Sequence, residues 1–214
     1  TAGGDFDLEG AFSQDGALTV SSAGDITTSD DNITFLQAVT LTGSVVLTSG
    51  GGAGTITFSS TLDGTTAATE DLSLTAGTGD ISFVGAVGGT TELGAVTVVS
   101  VGDLTADDTF SAASVGQTAG SGTTTFSGAL ATTAAVGVNV DGTNFDFNDT
   151  VTLALGDLDV DASGTVRFNG LVTTSDAANG LATISNGGVL TLTAGGDFDL
   201  GGAFSQDGAL TVSS

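Results

Sequence analysis

One short motif returns along the whole chain and constrains its fold more than any other feature. It consists of an apolar residue, a spacer, Phe, two or three small or polar residues, then another apolar residue. It reads ITFLQAV at 33–39, ITFSSTL at 56–62, ISFVGAV at 81–87, FDFNDTV at 145–151 and VRFNGLV at 166–172; TTFSGAL at 124–130 puts Thr124 in the first apolar place. Looser versions are DTFSAAS at 108–114 and FDLEGAF at 6–12, the latter returning as FDLGGAF at 198–204. The central position therefore runs Leu8, Phe35, Phe58, Phe83, Phe110, Phe126, Phe147, Phe168, Leu200. Its intervals vary from 16 to 32 residues and divide 192 residues into eight units averaging 24.

A second set of alternating segments accompanies the first, among them VTL (39–41), LSL (72–74), VTV (96–98), VNV (138–140), LDV (158–160) and LTL (190–192). Strict apolar-polar alternation over three to five residues is the period of a half-buried strand, whose side chains point alternately to its two faces. Between these segments lie glycine-rich joints such as GGGAG (50–54) and TAGTGD (75–80), which suit sharp corners. No helical stripe runs through the chain. Short strands and tight corners in units of about 24 residues predict an all-β parallel β-solenoid, or β-helix, with about eight coils per 192 residues. Equivalent residues of successive coils would then lie about 4.8 Å apart, so that the Phe position forms an internal ladder. The longest units place extra loop at 60–71 and 173–189. A string of β-sandwiches fits less well, lacking an eightfold unit, and an outer-membrane barrel needs longer strands and aromatic girdles.

The chain also repeats on a longer scale. Residues 1–22 and 193–214 are identical except that Gly201 replaces Glu9. The sequence thus reads as one long repeat, 1–192, followed by the start of the next, 193–214, as in a slice of a tandem array whose ends are covered by more of the same.

Charge narrows the partners. The chain has 25 acidic residues against one basic residue, Arg167, a net charge of −24. Such a surface repels phosphate backbones and anionic lipid heads, so neither nucleic acid nor membrane insertion by this segment is expected. With no Cys, His or Lys, the usual nucleophiles and proton carriers are missing, and no enzymatic activity is expected. Arg167, at an outward spacer position, reads as a solvated partner for a nearby Asp.

No cofactor is expected, with calcium left open by the acidic runs. GDLDVDAS (156–163) and GGDFD (195–199) set Asp157, Asp159, Asp161, Asp197 and Asp199 on alternate residues, and hard oxygen donors of this kind suit Ca²⁺. Neither the EF-hand spacing nor the GGxGxDxUx nonapeptide is present, and aspartates that merely face water explain the runs equally well. Pairs such as TIT (55–57) and TTT (123–125) are too irregular for an ice-binding array, and outward Thr is what a β-surface favours. Asn32-Ile33-Thr34 and Asn148-Asp149-Thr150 match the glycosylation acceptor pattern.

The units LSLTAGTGDISFVGAVGGTTELGAVTV (72–98) and ITFLQAVTLTG (33–43) resemble the strand repeats of giant bacterial surface and secreted proteins, the haemagglutinin-like exoproteins and large repetitive adhesins. The resemblance spans nearly the whole chain. It implies a long right-handed stalk at the bacterial cell surface or outside the cell, with adjacent copies of the repeat stacked end to end. The function expected is that of a structural rod or filament segment; the alternative is an adhesin binding module whose acidic face takes calcium or a glycan.

Overall fold

A computed structural model describes residues 4–16, 20–176 and 180–213. Among them there is no helix, only short strands joined by corners. Every pairing between strands is parallel, and partners lie one turn apart in sequence. This is a β-solenoid of about ten turns whose coil visits three faces in order.

The first face begins with Phe6–Leu8, Ile26–Thr28, Val45–Thr48 and Leu72–Thr75. It continues through Val138–Gly142 and Leu158–Ala162 to the start of Phe204–Val212. The second carries the motif: Phe12–Gln14, Ile33–Phe35, Ile56–Phe58, Ile81–Phe83, Leu104–Ala106, Thr123–Phe126, Asn144–Phe147 and Val166–Phe168. The third runs from Val20–Ser22 and Val39–Leu41 through Leu130–Thr132 and Val151–Leu153 to Phe198–Leu200. On each face the residues at alternate positions are buried and those between them look outward, as in the buried–intermediate–buried pattern of Ile56–Phe58.

The motif read from sequence is the passage from the second face to the third. From Phe35 to Val39, and in each of the next six turns, three residues make this corner, with Gly in its middle at Gly85, Gly128 and Gly170. A β-carbon at any of these glycines would collide with the backbone of the turn beneath. Gly77 is required twice over, since its φ is +60° and a side chain there would strike the backbone of Gly51.

Turn and sequence unit do not coincide throughout. Leu8 stands on the first face beside Thr28, and Leu200 on the third beside Thr174. The intervals from Leu8 to Phe35 and from Phe168 to Leu200 therefore each hold a turn and a third. The 192-residue offset spans eight and two-thirds turns of about 22 residues, where the sequence suggests eight of 24. Extra loop at 64–71 falls inside the expected 60–71. Of the expected 173–189, only 175–181 is a connection, partly outside the described residues, and Ala182–Leu192 is a strand that bends across two faces.

The core is the stack of inward side chains. Phe35 lies on Phe58 at 5.0 Å between ring centroids, Phe58 on Phe83 at 5.2 Å, and Phe147 on Phe168 at 4.7 Å, all with rings nearly parallel. One rung breaks the column, because Phe83 and Phe126 are both paired in register with Ala106. The gap is filled from the neighbouring face. Phe110, on the rung with Val87 and Leu130, sets its ring edge-on between Phe83 and Phe126 at 5.4 and 5.5 Å. A small residue on one face and a large one on the next keep the column filled. Thr124, polar in an apolar place, is buried and donates its hydroxyl to Gln117 Oε1 at 2.8 Å. The Gln117 amide in turn donates to the carbonyl of Asp141, so no hydrogen bond of Thr124 is lost on burial.

Candidate functional site

The acidic residues have a local structural use that follows from where the chain turns. At or near the start of a strand, the residue just before an inward side chain presents its amide to the turn below. A carboxylate one turn below can accept that N–H. Asp25 Oδ1 accepts from the Val46 amide at 2.7 Å, and Asp71 from Ala95 at 2.7 Å. Asp80 accepts from Asp103 at 2.8 Å, and Asp103 from Thr123 at 2.6 Å. Asp157 accepts from Leu181 at 3.0 Å. Asn32 and Asn144 do the same for Thr55 and Thr165 with their amide oxygens. In every case acceptor and donor occupy the same register position in successive turns, and the acceptor is on the lower turn.

Sequence reading did not find these clamps. The signal was present as Asp or Asn immediately before an apolar-x-apolar strand, in GDI at 24–26 and 79–81, GDL at 102–104 and 156–158, and EDL at 70–72.

The candidate calcium ligands are dispersed. Asp157, Asp159 and Asp161 lie along the first face, where Asp157 is committed to the Leu181 amide and Asp161 pairs in register with Asp141 below. Asp199 is on the third face beside Thr173, with Asp197 in the corner before it. Among the described residues no group of three acidic side chains is placed to hold a metal ion. The carboxylates of the first face act on one another instead. Partial desolvation against the sheet, with the like charges of Asp141, Asp161 and Asp157, raises the pKa of Asp159 above the ordinary aspartate value.

Glu70 behaves in the opposite way. Its buried carboxylate closes the 64–71 loop, accepting from the Thr65 hydroxyl at 2.6 Å and from the amides of Thr66 and Thr65 at 3.0 and 3.2 Å. Burial pushes its pKa up, but these hydrogen bonds outweigh burial and leave it below the ordinary value. Arg167 pairs with Asp146 of the turn below at 2.8 Å. The acceptor asparagines are also engaged: Asn32 holds the Thr55 amide and Asn148 accepts from the Asn169 side chain at 2.6 Å.

Concavities lie at the two ends of the stack and, between Asp25 and Thr97, on the first face. At the upper end Leu192, Phe198, Phe204 and Val212 line an open apolar hollow, and at the lower end Phe6, Phe12, Val20 and Phe35 share a smaller one with polar groups such as Ser21 and Ser22. Phe204, Leu210 and Val212 are 43%, 50% and 66% exposed, whereas the inward residues of the middle turns are almost fully covered. Among the described residues no helix is long and apolar enough to cross a membrane. No known protein family, curated protein or solved structure matches the chain.

Proposed function

We propose that this chain is a structural element, a segment of an extracellular or cell-surface rod built from repeats stacked end to end. The observation that carries this reading is how the side chains are spent. The aromatic column fills the core, the corner carboxylates clasp backbone amides of the next turn, and an apolar hollow lies at the upper end of the stack. No reaction is assigned to it. The resemblance of its strand units to those of giant bacterial surface proteins supports the same reading.

The alternative, a binding module for calcium or a glycan, rests on the row of Asp141, Asp159 and Asp161 on the first face. Electron microscopy and a chelator titration separate the two. A rod should appear as a smooth fibre advancing about 42 Å per 192 residues, from eight and two-thirds turns at about 4.8 Å each, and should melt at the same temperature with and without chelator. A beaded particle, or a melting temperature that rises by several degrees on adding calcium, would favour the binding module.

A further inference from the structure

The two near-identical segments occupy the two ends of the stack, and they do so on different faces. In the first copy Phe6–Leu8, Phe12–Gln14 and Val20–Ser22 lie on the first, second and third faces and form the lowest strand of each. In the second copy the counterparts of the first two strands fall one face earlier, and the third strand there starts two residues earlier in the segment than Val20 does. Phe198–Leu200 is on the third face, the strand from Phe204 on the first, and Leu210 to Val212 on the second, and they form the highest rung of each. One sequence is thus seen covered from above by Ile26–Leu41, and seen again resting from above on the turn that ends at Leu192. In its first two strands a single copy fits between those two layers, while the third shares only the position of Val20 and Val212 between its lower and upper pairings. Two copies meeting at a joint are one more than the joint requires.

We propose that the upper end of this chain is the seat for a second copy of the chain, by exchange of this rung. Residues 193–214 of one copy take the place of residues 1–22 beneath Ile26–Leu41 of the next. The inference rests on the rod reading above and adds to it both the contact and its rotation. Phe198–Leu200, on the third face of the lower copy, comes to lie under Ile26–Thr28, on the first face of the upper one. Each copy is therefore turned by a third of a turn about the axis relative to the one below. The contact is head-to-tail and open, so it grows a filament and closes no ring. The apolar side chains left uncovered at Phe204, Leu210 and Val212 would be covered as their counterparts are at the lower end, where Phe12 and Val20 are half-buried and packed against the core. The displaced rung is itself only partly buried, with Phe6 52% exposed.

Introduced cysteines test this cleanly, because the chain has none of its own. Ser13 pairs in register with Thr34, and Ser205 is the counterpart of Ser13 in the second copy of the segment. In the proposed joint, Ser205 of one chain stands beside Thr34 of the next, within the reach of a disulfide. Within one chain the two positions are more than seven turns apart and cannot meet. The 214-residue variant Thr34→Cys/Ser205→Cys, oxidised at high concentration, should give a ladder of multiples of the 20.5 kDa chain on a non-reducing gel. A hundredfold excess of a synthetic peptide of residues 193–214 should collapse that ladder. Copies that merely stack face on face would place Ser205 beside Asp7, so a ladder from Asp7→Cys/Ser205→Cys with none from the first pair overturns the exchange and leaves the stacked rod standing. No ladder from either pair, with single chains in sedimentation, overturns the exchange and the stacking of copies together.

Discussion

Asp103 Oδ1 lies 2.6 Å from the backbone nitrogen of Thr123, which occupies the same place one turn higher. Asp103's own amide is held in turn by Asp80 below, at 2.8 Å. The three residues form a chain of carboxylate-to-amide contacts running up one edge of the solenoid. Most of the carboxylates that do this are at the starts of strands, where the parallel ladder leaves an edge amide in need of an acceptor.

Replacing Asp103 with Ala should cost about 1 kcal/mol, the usual worth of one such bond, and speed hydrogen exchange at the Thr123 amide. Asp103→Asn should cost less, since Asn32 and Asn144 fill the same role with an amide oxygen. Chemical denaturation of both variants checks this. A loss as large for Asn as for Ala would mean that the charge, and not the acceptor, is what matters.

The aromatic column should dominate stability. Phe147→Ala removes a fully buried ring stacked at 4.7 Å on Phe168 and should cost about 3–5 kcal/mol. Thr97→Ala, at an outward position of the first face, should stay within about 0.5 kcal/mol of the parent. Comparable losses at both sites in urea melts would contradict the inward and outward assignment.

Ala106 and Phe110 should be coupled. Ala106→Phe alone forces a second ring into a filled rung and should cost about 1–3 kcal/mol; Phe110→Ala alone opens a cavity costing about 3–5 kcal/mol. The double variant restores one ring to that level, so its loss should fall short of the sum by at least about 1 kcal/mol. A double-mutant cycle measures the shortfall, and simple additivity would mean that the rings of Phe83 and Phe126 do not share the space.

Two carboxylates should give opposite pH dependences. The folded-state pKa of Glu70 is lowered, so its contribution is complete at pH values above the ordinary 4.5 and is lost as pH falls through the lowered value. Glu70→Gln should flatten that part of the acid limb. The folded-state pKa of Asp159 is raised, so the native state binds its proton first and stability falls as pH rises through that value. Asp159→Asn should therefore stabilise the protein at neutral pH, by no more than about 0.5 kcal/mol at this exposed position. Melting temperatures from pH 3 to 7 for both variants check the two signs.

Much of this architecture could be read in the residues. Phe35, Phe58, Phe83, Phe126, Phe147 and Phe168 form one in-register column because an apolar-x-Phe strand followed by a three-residue corner is a complete local instruction, with Gly85 or Gly170 permitting the close stacking. Leu8, Phe110 and Leu200 share the pattern but not the place. The motif FDLEGAF is a strand, a three-residue corner and a strand, and a coil with three such corners can set it at any of them. Which corner it occupies depends on how many residues the preceding turns consume, a sum over the whole stack that no local pattern holds. The acidic residues were legible as charge but not as clamps, because their partners lie twenty or more residues away and become neighbours only once the turn length is fixed.

The ladders of hydrogen bonds in this fold run along the solenoid axis, and so do the carboxylate contacts at its corners. A pull on the two ends therefore loads these bonds one turn at a time instead of shearing a whole sheet at once. Each turn that peels away frees about 22 residues, which at about 3.4 Å per residue extend to some 70 Å beyond the rise they occupied. A solenoid of this kind should lengthen stepwise under tension and absorb work over many small breaks, which force-extension measurements on a single chain would show as a regular sawtooth.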